Sequence, residues 1–389
     1  MMEKVLLVIF GNFPTTKAYG VTTANTIQQL KKSGHEVLCV AFQPSTKNSF
    51  SVQDPEILYF KESLIPRLFR KLAYVSFGRV SQIAWKLVCM LAELGVRSSI
   101  TKYKPTIVWA RESVPKTLTR QSNPNQILVI ELHSFISQKA LRSFSKFNPW
   151  QIILAPISIS IQKNLEQYNL PYTSVLSPMG VNLDQFKNCR SNSFPKLGSS
   201  VKIGYFGKLA PGGFSKGFED LINLAAFHES LNFASEIQLV GADISEIPDL
   251  EEMAQRLGIR STRIKFMSHR PHGETIKLMQ DCDVLVLTTP KSSMYSGSPI
   301  KAIEYAATGK PVLASKSSVN EDVFPQDCQP YWYEIANVVS MHETLLQIYA
   351  DPERDIKTGK MRKFAESRTW EIRTNKILAI IEDKQKKSQ

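Results

Sequence analysis

Two stretches of the chain carry charged residues at spacings suited to binding an anion. In YFGKLAPGGFSKGFEDLI an apolar run enters a loop containing Gly207, Gly212, Gly213 and Gly217, and the loop opens a helix. Backbone amides and a helix N-terminus attract an anion at such a turn. Lys208 and Lys216 flank it and supply point charges that neutralise a diphosphate without a metal, provided the loop folds both inward. The spacing is neither a Walker A loop nor a GxGxxG fingerprint, and the plain alternative is a glycine-rich loop with solvated lysines. In SPIKAIEYAATGKPVLAS, Ser298 is placed as an N-cap, Pro299 as the first helical residue and Gly309 as a left-handed C-cap. Ile300, Ile303 and Ala307 fall on one stripe of this helix, and Lys301, Glu304 and Thr308 on the next. Helical side chains lean toward the N-terminus, so Glu304 is aimed back at the loop from Thr289 to Ser298. The competing expectation is a surface ion pair of Lys301 with Glu304, which would leave function untouched.

Other candidates are single residues. His133, in VIELHSF, falls at the carboxyl end of an apolar run, the edge where open α/β sheets carry their chemistry. His35, in SGHEV, sits at a helix-to-strand turn and reads as structural. Asp281 and Asp283 have the spacing of a metal-binding pair but precede their strand, so Asp283 is expected to mark a helix-to-strand boundary. The five cysteines are scattered, with no CxxC pair or histidine partner, and are expected to be reduced thiols.

The elements that must position these residues alternate along the chain. Apolar runs at Lys4 to Phe10, HEVLCVAF, EILYF, TIVWAR, ILVIELH, QIILAP and TSVLS are separated by helical patterns, including Thr22 to Ser33 and Ile161 to Tyr168. The alternation breaks in the polar segment Lys187 to Ser200 and restarts with VKIGYFG, EIQLVG, RIKFMS, DVLVLTT and KPVLAS. The fold class is therefore α/β, with two Rossmann-like doubly wound domains. The expected boundaries are residues 1–186 for the first domain, 187–200 for the linker and 201–365 for the second, with a helix at 366–389 returning to the first.

A formal charge of +13 calls for a polyanion or an anionic surface as partner. Nucleic acid is excluded, because no finger, RRM or basic-zipper pattern occurs and the lysines are not interleaved with aromatics. The densest basic region, residues 61–104, contains amphipathic stretches (LIPRLFRKLA, IAWKLVCMLAEL) that suit either an anionic bilayer surface or a solvated helix face. The start suits a first strand better than a signal peptide, and Arg79 and Lys86 interrupt the longest apolar stretch, so the expected place is cytoplasmic, with peripheral contact to the inner membrane face.

Taken in order, SGHEV, VIELH, SPMGVNLDQF, GKL with SKGFEDLI, IKFMSHRPHGE, DVLVL and SPIKAIEYAATGKPVLAS resemble the GT-B fold retaining glycosyltransferases of family four, glycosyl transferases group 1. RTWEIRTNKIL is similar to the closing helix of that family, and the likeness runs over nearly the whole chain. It implies a nucleotide-diphosphate sugar as donor, a hydroxyl acceptor on a glycan or lipid-linked glycan, and no metal or other cofactor. It places the donor diphosphate on Lys208 and Lys216, the ribose hydroxyls on Glu304, and His133 at the reacting centre. Gly207, Arg270, Ser296, Gly297, Ser298, Pro299, Ile300 and Lys301 join the donor side, and Gly20, Arg111 and Glu112 the acceptor side or the cleft. Two departures stand out. Ser296 occupies the place of the family's first glutamate, which reads the donor sugar, and Gly20 is the only glycine of the N-domain loop. A nucleotide-sugar epimerase and a non-catalytic nucleotide-sugar-binding subunit are the other readings.

Overall fold

The computed structural model describes residues 2–15, 18–43, 57–60, 79–111, 126–137, 141, 148–189, 193–210, 215–290 and 300–388. These residues form two compact units, Met1–Pro178 with Trp370–Gln389, and Met179–Thr369. Each is a parallel sheet flanked by helices.

Unit 1 contains β1 (Lys4–Asn12), α1 (Ala18–Lys32), β2 (Glu36–Phe42), β3 (Ile57–Tyr59), α2 (Arg79–Tyr103), β4 (Ile107–Arg111), β5 (Ile127–Leu132), β6 (Ile152–Pro156), α3 (Ile159–Glu166) and β7 (Thr173–Ser174). Its sheet runs in the order β3-β2-β1-β4-β5-β6-β7, with every pairing parallel. Both faces are covered, so the strands are continuously apolar rather than alternating, and all six residues of β5 are buried. Helix α1 begins at Ala18, four residues before the expected start, and β7 keeps two residues of the run predicted there.

Unit 2 contains β8 (Val201–Phe206), α4 (Glu219–Ser230), β9 (Ser235–Ala242), α5 (Ile247–Arg256), β10 (Ile264–Ser268), α6 (His272–Gln280), β11 (Val284–Leu287), α7 (Ile300–Thr308), β12 (Val312–Ser315), α8 (Ser318–Glu321), β13 (Tyr331–Tyr333), α9 (Val338–Ala350) and α10 (Arg354–Glu366). The sheet order is β10-β9-β8-β11-β12-β13, again parallel throughout. Edge strand β13, with the sequence YWY, is too short to show a period in the sequence. Asp283 sits at the amino end of β11, where its carboxylate accepts from the Lys202 amide at 2.8 Å. This is the boundary role expected of it.

Val181 and Phe186 are buried in the core of unit 2, so the division falls at Pro178 and Met179, ahead of the polar segment expected as the linker. Sequence polarity marks a surface turn there, while the apolar residues before it already belong to the second core. After α10 the chain re-enters unit 1 as α11 (Trp370–Ser388), whose Ile377, Leu378 and Ile381 complete the core formed by β1, β4, β5 and β6.

Candidate functional site

In unit 2 the strand order reverses between β8 and β11, and the crevice outside their carboxyl ends is where open α/β sheets bind ligands. Strand β8 leads into Gly207, whose φ of +136° favours glycine and where an added Cβ would meet Lys301 Nζ at 3.3 Å. The loop returns through Lys216, whose amide donates to Leu209 O at 2.8 Å, and Gly217 packs against the Thr289 and Pro290 backbone at the exit of β11. Thr288 Oγ1 donates to Lys216 O at 2.6 Å, and Asn320 Nδ2 donates to Thr289 Oγ1 at 3.1 Å. The two loops are thus tied together.

Helix α7 aims its polar stripe at this place. Lys301 Nζ donates to Tyr205 Oη at 2.7 Å and stands 4.0 Å from the centroid of that ring. Burial, helped by the charge of Lys216, pushes the Lys301 ammonium down to about 7 from its ordinary 10.5. Burial also lowers Lys216. An ammonium disfavoured both by burial and by a neighbouring lysine, at the end of a switch-point strand, is one whose charge a bound anion would relieve. Glu304 does not pair with Lys301. Its Oε1 lies 2.8 Å from His272 Nε2 at the start of α6, and this hydrogen bond raises the histidine's pKa. Lys208 is half exposed and pairs with Asp243 at 3.4 Å, so a diphosphate would compete with a solvated carboxylate for it. Arg270 is exposed after β10, and Ile300, half buried, opens the described part of α7. Gly309 has the positive φ, 71°, expected of the C-cap. Ser296, Gly297, Ser298 and Pro299 lie outside the described residues, as does Glu112.

In unit 1, Arg111 and His133 occupy the carboxyl ends of neighbouring strands β4 and β5. The Arg111 guanidinium lies 5.8 Å from the centre of the Tyr19 ring. His133 Nε2 is 3.1 Å from Glu131 Oε2, and both side chains are buried. Arg373 of α11 reaches the other oxygen of Glu131 at 2.6 Å, and the Trp109 indole reaches it at 2.9 Å. Burial alone would raise the Glu131 carboxyl, but Arg373 and His133 hold it well below the usual range. Gly20 lies within the first turn of α1 rather than in a loop, where a Cβ would fall 2.2 Å from Thr15 O. The space denied to a side chain there is taken by the preceding backbone.

Sequence reading passed over Glu131, Trp109, Arg373, Tyr205 and His272. A glutamate inside the apolar run ILVIEL was the available signal, since a carboxylate in a buried strand must have partners. Nothing in the sequence marked Arg373 as that partner. Among the described residues no cluster of three metal-capable side chains occurs, and no helix is long and apolar enough to cross a membrane.

Residues 193–367 match the family model of glycosyl transferases group 1, a span lying within unit 2. No curated protein matches the chain in sequence. Among solved structures, a glycosyltransferase from Rickettsia africae aligns with a TM-score of 0.73 at 14% identity, covering 99% of each chain. A sucrose-phosphate synthase from Thermosynechococcus elongatus aligns at 0.70 and 16% identity, covering 98% of each. HepE from Anabaena, in complex with UDP and glucose, aligns at 0.66 and 17% identity, covering 98% of this chain and 100% of that one. The architecture is that of the GT-B glycosyltransferases.

Proposed function

We propose that the protein is a retaining glycosyltransferase that moves a sugar from a nucleoside-diphosphate sugar to a hydroxyl of a glycan or lipid-linked glycan, in the synthesis of surface polysaccharide or glycolipid. The observation that carries this reading is the placement of Lys216 and Lys301 at the β8/β11 switch point, with Glu304 one turn further along α7. The group 1 match over this unit and the UDP held by HepE support it.

In this reading the acceptor hydroxyl attacks on the face from which the diphosphate departs. Lys208, Lys216 and the amides before Pro299 neutralise the leaving group, and Lys301 adds a third cation to them. Glu304, held in place by His272, accepts from the ribose hydroxyls, and His133 places the sugar and its developing charge. With serine at position 296, choice of sugar falls to Gly297, Ser298 and neighbouring amides.

A thermal-shift panel of UDP-, GDP- and ADP-sugars identifies the donor, since a ligand that binds only the native state raises its melting temperature. Lys216→Ala should weaken nucleotide diphosphate binding by about 1.5 to 3 kcal/mol, the worth of a charged hydrogen bond. Unchanged binding by a folded variant would remove the clamp. Turnover of labelled donor, with water as fallback acceptor, separates a transferase from a binding subunit and from an epimerase.

Peripheral membrane contact is part of the same proposal. Ile83, Met90 and Leu94 of α2 are 59%, 56% and 64% exposed, at positions that share one helix face, and Arg97 and Lys102 nearby are exposed. Of the basic region that prompted the idea, residues 61–78 and the side chains of Arg79 and Lys86 lie outside the description. Flotation with anionic vesicles should weaken as salt rises. Equal flotation with neutral and anionic vesicles would count against it.

A further inference from the structure

The carboxylate of Glu131 is divided between two tasks. Oε1 accepts from Arg373 Nη2 at 2.6 Å and from Trp109 Nε1 at 2.9 Å, and Oε2 faces His133 Nε2 at 3.1 Å. The Arg373 side chain is 2% exposed and that of Glu131 is 5% exposed. The same guanidinium donates to Ser177 O after β7 at 3.3 Å and reaches Thr26 Oγ1 of α1 at 3.5 Å. One arginine on α11 therefore joins the helix to β5, to α1 and to the segment after β7.

The charges decide what the imidazole does. A buried carboxylate facing an imidazole alone forms a two-member site, and taking up a proton on the ring cancels the negative charge, so the ring charges readily. Here the carboxylate is already matched by a guanidinium that cannot give up its proton. A proton on His133 would leave a buried site with a net positive charge. Among the described residues, the ionisable groups on the elements around the ring push this sum the same way: Glu131 two residues before it is matched by Arg373 on α11, and Arg111, at the end of β4 in register with Glu131, adds a further positive charge. Lys376, also on α11, is exposed and bonded to Leu176 O.

We propose that Arg373 is a positioning residue for His133, fixing the Glu131 carboxylate so that the imidazole stays uncharged at neutral pH with its proton on Nε2 and its lone pair on Nδ1. The proposal rests on the reading of His133 as the residue at the reacting centre. An uncharged ring there accepts or donates through a defined atom without repelling the positive charge that develops on the sugar.

The test is a long-range proton–nitrogen NMR titration of the histidine rings in the full chain, with His133 assigned by its loss in His133→Gln. In the parent, the ring should hold the Nε2–H tautomer at pH 7. Arg373→Met should raise its titration midpoint by about 1 to 2 pH units, the size expected when an opposite charge is left uncompensated beside it. Arg373→Lys, which keeps the charge but not the fork, should hold the midpoint within about half a unit while weakening the tautomer preference. Glu131→Gln should move the midpoint the opposite way from Arg373→Met, and it tests the same network if Arg373→Met does not fold. Where the parent shows transfer, the acid limb of its kcat/KM should follow the ring in each variant. Midpoint and tautomer unchanged in folded Arg373→Met, or in Glu131→Gln, would reduce the arginine to a staple for α11. Full transfer by His133→Gln would instead overturn the role of His133 and leave the titration to stand by itself.

Discussion

Lys301→Met should make the unliganded protein more stable while weakening its hold on a nucleoside diphosphate. The buried ammonium is charged below about 7 in the folded chain and below 10.5 in an ordinary one. Under pH 7 both states carry the proton, and folding bears the full cost of burying it. As pH rises from 7 to 10.5 the folded chain releases the proton first, so the unfolded chain binds more and stability climbs. At about 1.4 kcal/mol per pH unit, the whole displacement amounts to about 5 kcal/mol at most. Methionine gives up the hydrogen bond and the cation–π contact with Tyr205, together worth about 1 to 3 kcal/mol. The Tyr205 hydroxyl keeps Lys208 O as a partner at 3.2 Å. The variant should therefore gain about 2 kcal/mol at pH 7. The difference between parent and variant should change by about 1.4 kcal/mol per pH unit between pH 7.5 and 10. Urea unfolding at a series of pH values measures this, and calorimetric titration with UDP or GDP should show at least a tenfold loss. Parallel stability curves would mean that the ammonium is hydrated, and unchanged nucleotide binding would put Lys301 outside the diphosphate site.

Glu304→Gln should cut donor use by roughly tenfold or more with little change in melting temperature, measured by steady-state kinetics against donor concentration. His228 is fully buried between Ser235 and His342, and burial pushes it down to about 3 from 6.5. Between those values the unfolded chain binds a proton that the folded chain refuses, so stability should fall as pH drops below 6.5, and His228→Asn should flatten that slope in urea titrations. Gly241→Ala, at a φ of +121° with its Cβ 2.5 Å from Gly207 O, should cost more than about 2 kcal/mol and displace the Gly207–Lys208 turn, seen together as a lower melting temperature and weaker nucleotide binding.

The sheets were legible because buried parallel strands are short apolar runs, and such runs as DVLVL and KPVLAS can be little else. Helix α7 was legible through its stripe and its Gly309 stop. The aim of Glu304 toward the carboxyl edge followed from helix geometry, but its partner did not. His272 lies thirty-two residues away in sequence, and only the fold of β10 and α6 brings it near. Lys301 read as polar in sequence because lysine is usually solvated, whereas its partner, Tyr205, is an aromatic of the kind buried strands commonly contain. Arg373 was hidden for a further reason. A guanidinium on a helix with Glu371 and Lys376 about it looks like one more surface charge until the return of α11 to unit 1 buries it.

That return bears on how the protein comes into being. Unit 1 is assembled from two segments separated by the whole of unit 2. On a ribosome moving at about 5 to 20 residues per second, roughly 10 to 40 s pass between the emergence of Pro178 and that of Trp370. During that interval unit 2 has all of its strands in hand, while the seven-stranded sheet of unit 1 lacks the helix that covers Ile153, Val129 and Ile107 with Ile377, Leu378 and Ile381. The nascent chain must carry an uncovered apolar face and a Glu131 without its arginine until α11 arrives. The second unit to be made is thus the first that can finish folding, and the histidine site is closed only after the whole of unit 2 has been made.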